Sequence, residues 1–205
     1  MLDGERAVSL GEVVEVCSRS REALLAEPPL LRLLPPLAVF GDIHGQIDDL
    51  RTLLSRVATP PKQRLLFLGD YIRFPDGVYL LRGNHETRLV SRNYGFFEEC
   101  LSKYGKETGL EVWTHVQQVF NCLPLAAVVG GRIFCVHGGI SDSLISFNQC
   151  VEDGFSFFCP SLLTIFSAPS YGGSNAAAVL KIDQDMSCQI LTYRNEGVDA
   201  PKGSK

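Results

Sequence analysis

No apolar run in this 205-residue chain approaches the roughly 20 residues that a bilayer-spanning helix needs. The start, MLDGERAVSL, carries Asp3 and Glu5 where a secretory leader has a basic beginning and an apolar centre. Both lacks predict an intracellular chain, in cytoplasm or nucleus, with no membrane partner. A basic excess is missing too: 19 Lys and Arg stand against 23 Asp and Glu, a net charge of −4. There is no local basic patch either, so nucleic acid is not an expected partner. The seven cysteines are odd in number and never spaced C-x-x-C, which argues against a zinc ribbon. They read as reduced, partly buried thiols. Internal repeats are absent as well.

What is present is 45% apolar residues, enough for one globular domain with a sizeable core. Residues 1–194 are expected to form it, with a polar, disordered tail over 195–205. Ser9 and Glu12 form a possible capping box, and Leu10, Val13, Cys17 and Leu24 follow on one helical face. A Leu/Pro-rich connector leads to a buried strand, Leu37–Phe40, then a helix over Asp48–Val57 and a strand over Leu65–Leu68, a βαβ unit. Val78–Leu81 reads as a third strand, and Thr87–Tyr104 and Leu110–Phe120 as helices, with His115 off the apolar stripe and solvated. Ala126–Val129, Gly130-Gly131 and Arg132–Val136 have the pattern of a two-residue hairpin. Leu162–Ser167, Ala177–Ile182 and Cys188–Tyr193 complete the strands. Mixed strand connections with covering helices predict an α/β protein of two stacked sheets.

Chemistry-bearing residues collect at four strand ends: Gly41-Asp42-Ile43-His44-Gly45, Gly69-Asp70, Gly83-Asn84-His85-Glu86 and His137-Gly138-Gly139. A single Asp or His at such a place is commonly a turn former. Four in order, each after an apolar strand, predict a shared site at the carboxyl edge of the sheet. On an extended segment Asp42 and His44 would point to one side, because strand periodicity is two. Carboxylate, imidazole and amide donors suit borderline or hard divalent ions such as Mn, Fe or Zn. Asp70 could bridge two of them, and His85, beside Asn84, could protonate a leaving alkoxide.

GDIHGQ, LGDY, LRGNHE, FNCLP, FCVHGGIS and FSAPSYGG together resemble the metal-dependent serine/threonine phosphatases of the phosphoprotein phosphatase family, over roughly residues 10–194. The resemblance implies a calcineurin-like metallophosphoesterase β-sandwich flanked by helices, two divalent metal ions, and hydrolysis of phosphoserine and phosphothreonine in proteins. By matching motif it implies Asp42 and His44 as ligands of the first metal and Asp70 as the shared ligand. Asn84 and His137 become ligands of the second, His85 the general acid, and Tyr171 a residue of the phosphate pocket. Phosphoprotein substrates and regulatory subunits are the partners it implies.

Two stretches depart from the family. After Tyr71 the family continues through a long crossover helix, whereas here Ile72–Gly77 leads straight to the next strand. A parallel neighbour across so short a link lies near the reach of an extended chain. The aspartate that orients the catalytic histidine and a phosphate-binding arginine belong to the absent piece, leaving Arg73 and Asp76 as the nearby substitutes. A longer stretch with a second phosphate-binding arginine is missing after HGGIS, and Asn148 stands where the family places a last histidine ligand. An amide is a weaker donor than imidazole for these ions, so the second metal site is expected to be weakened. The expected function is a serine/threonine protein phosphatase of impaired activity; the alternative is a truncated, catalytically weak or dead chain that acts as a protein-binding competitor. A phosphodiesterase on the same scaffold is the third reading, disfavoured by FSAPSYGG and FNCLP.

Overall fold

The computed structural model describes residues 8–70, 78–138, 154–159, 161–171 and 175–194. The chain divides into two compact units, Met1–Pro29 with Asn84–Pro124, and Leu30–Gly83 with Leu125–Lys205. Arg73, Asp76, Asn148 and the 195–205 tail lie outside the described residues.

The first unit is helical. Helix α1 (Leu10–Leu25) starts at the expected capping box: Ser9 accepts from the Glu12 backbone, and the Glu12 carboxylate accepts from the Ser9 N–H at 2.9 Å. Two orphan donors of the first turn are satisfied in this way. The run expected as one helix from Thr87 to Tyr104 is two, α3 (Arg88–Asn93) and α4 (Phe96–Tyr104), parted at Gly95, whose φ is 100°. α5 (Lys106–Phe120) begins four residues before Leu110, because Gly105 turns the chain directly into it. Trp113, Val112 and Cys100 form the centre, with Leu10, Val13, Phe96, Phe97 and Tyr104 packed around them. Ser91 ties α3 to α5: Trp113 Nε1 and Gln117 Nε2 both donate to its Oγ, at 3.3 and 3.1 Å.

The second unit is a β-sandwich. Strands β1 (Leu30–Leu33), β5 (Ala126–Val129) and β6 (Ile133–Val136) make a three-stranded sheet in the order β1-β5-β6. Strands β2 (Leu37–Phe40), β3 (Arg64–Phe67), β4 (Val78–Leu80), β9 (Ala177–Ile182) and β10 (Cys188–Tyr193) make a five-stranded sheet in the order β10-β9-β2-β3-β4. A separate hairpin joins β7 (Phe155–Cys159) to β8 (Leu162–Ile165). The core between the sheets takes Leu31 and Leu33 from β1, Ala127 and Val129 from β5, Leu37 and Val39 from β2, and Leu180 and Ile182 from β9. Helix α2 (Ile47–Leu54) buries Leu50 and Leu53. Just beyond its end, Arg56 sets its guanidinium 4.9 Å from the Tyr193 ring of β10.

Several elements differ from the sequence expectation. β1 lies inside the expected connector, where alternate burial of Leu31 and Leu33 gives a four-residue strand paired in parallel with β5. β7 was not expected either. In the β5–β6 turn, Gly130 and Gly131 take φ of 57° and 68°, but Val129 pairs with Ile133, so Arg132 is an extra residue and the hairpin is not a two-residue one. β3 and β4 are parallel, with Leu65 opposite Val78 and Phe67 opposite Leu80. The short link therefore joins parallel neighbours.

Candidate metal centre

The site of the sandwich unit is assembled from backbone first. β2 ends at Phe40, and the next N–H, of Gly41, donates to Ser167 Oγ at 2.9 Å while that hydroxyl donates to Ala178 O at 2.6 Å. A Cβ on Gly41 would stand 2.1 Å from the Ile165 carbonyl oxygen, so only glycine lets the two segments meet. Ser167 N donates in turn to Asp42 O at 3.0 Å, and Asp42 bridges to Phe166. On the other side, Ile43 N and His44 N donate to Asp70 O at 3.3 and 3.1 Å. Gly69 allows a similarly close approach, since a Cβ there would fall 2.5 Å from His137 Nδ1.

These contacts bring Asp42, His44, Asp70 and His137 together. His44 Nε2 lies 3.5 Å from Asp42 Oδ2 and 4.0 Å from Asp70 Oδ2. His137 Nδ1 lies 3.4 Å from Asp42 Oδ1, and its Nε2 3.7 Å from Asp70 Oδ1. Each carboxylate thus offers one oxygen to each imidazole. The Asp70 side chain is 2% exposed and that of Asp42 23%. Such separations exceed the roughly 2.7–3.2 Å of a well-made N–H···O bond. They match two donors that share an ion at about 2.0–2.2 Å, which stand roughly 3–4 Å apart. Ligand atoms of Asp42, Asp70 and His137 all fall within 4.8 Å of one another. Two carboxylates gathered so closely repel unless a cation lies between them. The donor set therefore fits divalent metal.

The route to this convergence differs from the expected one. His44 does not continue an extended strand: it sits in a turn with φ of 49°, and Asp70 has φ of 52°. The left-handed turn, and not strand alternation, carries the imidazole back to Asp42. Tyr171 stacks on His44, with ring centroids 4.2 Å apart and planes 16° apart. Asn84 and His85 belong to the helical unit, where Asn84 O accepts from Thr87 Oγ1 at 2.7 Å and the His85 ring meets Tyr94 edge-on at 5.5 Å. Sequence reasoning passed over Ser167, Phe166 and Tyr94. The first two sit within FSAPSYGG, and a serine two residues past the end of β8, inside that motif, is the signal that could have drawn attention to Ser167.

The fold is similar to that of a protein serine/threonine phosphatase from Saccharomyces cerevisiae with similarity to human phosphatase PP5. That comparison has a TM-score of 0.77 and 21% identity, and covers 95% of this chain and 92% of that one. A putative diadenosine tetraphosphatase aligns with a TM-score of 0.47 and 16% identity, over 80% of this chain and 97% of its own. Residues 35–162 match the model of the family described as calcineurin-like phosphoesterase. That span is more than half of the chain and contains Asp42, His44, Asp70 and His137, and the chain belongs to the calcineurin-like phosphoesterase family.

Proposed function

We propose that the chain hydrolyses phosphoserine and phosphothreonine in proteins, with the sandwich site as its metal centre. The convergence of Asp42, His44, Asp70 and His137, four chemistry-bearing side chains held by mutually bracing backbone segments, carries this reading. Two divalent ions, Mn, Fe or Zn, would supply Lewis-acid polarisation of the phosphoryl group and a water ionised at neutral pH. Asp42 and His44 would hold the first ion, Asp70 would serve both, and Asn84 and His137 would serve the second, with Asn148 as a weaker donor. His85 gives its imidazole proton to the leaving alkoxide oxygen. Tyr171 and Arg73 would address the phosphate. The likeness to the yeast phosphatase supports the fold that this chemistry uses. Regulatory subunits and a cytoplasmic or nuclear location are part of the same proposal.

Asn148, in place of a histidine, and the absence of the family's phosphate-binding arginines favour a second reading: a protein-binding competitor with little or no turnover. An arginine aimed at transition-state charge contributes several kcal/mol, so losing two lowers the rate by several orders of magnitude. A phosphopeptide assay with Mn separates the two. Phosphate release that EDTA abolishes supports the enzyme, whereas tight metal uptake with no release supports the competitor.

A further inference from the structure

Tyr171 is 53% exposed, yet its ring lies face to face with the His44 imidazole. Phe166 braces the stack, edge-on to Tyr171 at 5.7 Å and tilted against His44 at 5.8 Å. Phe166 is itself fixed by backbone: its N–H donates to Gly154 O and its carbonyl accepts from Ala178 N, both at 2.7 Å. The two segments that bring the rings together adopt costly backbone to do so, His44 at φ 49° and Ser170, next to Tyr171, at φ 55°. A terminal imidazole torsion is broad when nothing restricts it. A flat partner at 4.2 Å confines the ring plane and leaves its Nε2 directed at Asp42 and Asp70.

We propose that Tyr171 is a positioning residue for the metal centre: its ring, held by Phe166, fixes the His44 imidazole in the orientation that receives a divalent ion. The inference rests on the metal-centre reading given above and assigns Tyr171 a role before any substrate arrives. Through its hydroxyl Tyr171 would act on phosphate; through its ring face it acts on metal retention. The two roles separate by substitution, because Tyr171→Phe keeps the face and loses only the hydroxyl.

Mn2+ titrated calorimetrically into the full metal-stripped chain reads the effect without any turnover. Tyr171→Ala should weaken Mn2+ binding roughly tenfold or more, the range for loss of a group that orients a ligand, while Tyr171→Phe should stay within about twofold of the parent. Unchanged affinity in Tyr171→Ala overturns the proposal. Equal weakening in Tyr171→Phe also overturns it, since the hydroxyl would then be responsible. If circular dichroism finds Tyr171→Ala unfolded, Tyr171→Leu takes its place with the same two outcomes, because leucine keeps bulk without a ring face. No Mn2+ uptake by the parent chain would sink this inference and the metal centre together, whereas uptake equal in parent and Tyr171→Ala sinks the stacking role alone.

Discussion

A left-handed backbone costs an L-residue roughly 1–2 kcal/mol, and His44 and Asp70 both accept it at the site. Asp70 adds the cost of a carboxylate with a side chain 2% exposed. A residue kept at such expense is expected to trade stability against function. Asp70→Asn preserves shape and tolerates positive φ, but removes the charge. The variant should be at least as stable as the parent without metal, by urea denaturation, and should bind Mn2+ about 100-fold more weakly. Lower metal-free stability would mean that the carboxylate serves the fold. Gln63 makes the complementary case: it is 3% exposed, and its amide oxygen and nitrogen have no partner among the described residues. Gln63→Leu should raise stability by about 1–2 kcal/mol in the same titration. At this scale the sequence already pointed to Asp42, His44, Asp70 and His137, because each follows an apolar strand. Their backbone angles were not legible, since neither His nor Asp declares a positive φ by its type.

Between elements, single polar atoms carry joints that no periodicity reveals. Ser91 Oγ is the common acceptor for Trp113 and Gln117, two largely buried side chains of α5. Ser91→Ala leaves both donors without that acceptor, so thermal unfolding should show a loss of about 2 kcal/mol or more. Gly41 is the counterpart in the sandwich, where β2 meets the exit of β8. Gly41→Ala must push the Ile165 backbone away and should cost about 1–3 kcal/mol, measured as a fall in urea midpoint. The same elements mark the limits of sequence reading. α1 was legible because its signals, Ser9, Glu12 and an apolar stripe, are local. β1 was not: Leu30–Leu33 is only four residues long, and its pairing partner β5 lies almost a hundred residues away. Gly95 breaks an otherwise helical pattern, a choice that the sequence leaves to tertiary packing.

Over the whole molecule, pH and metal act on the same sandwich. Burial in the core pushes the Cys135 thiol up to about 11 from its ordinary 9.0. The unfolded chain loses that proton first as pH rises, so the contribution is intact below pH 9 and falls between 9 and 11. The expected slope is roughly 1.4 kcal/mol per pH unit, and Cys135→Ala should remove it from the difference between urea titrations at pH 8.5 and 10.5. Metal works in the opposite direction, since Mn2+ at about 100 times its dissociation constant should add roughly 2.7 kcal/mol, read as a higher melting temperature that EDTA reverses. The geometry gives that gain a location. Asp42 and Asp70 leave the five-stranded sheet, and His137 leaves the three-stranded one. Two ions that share Asp70 would join Asp42 of one layer to His137 of the other, a rivet through both layers of the sandwich, so the supply of metal would govern how long the chain stays folded.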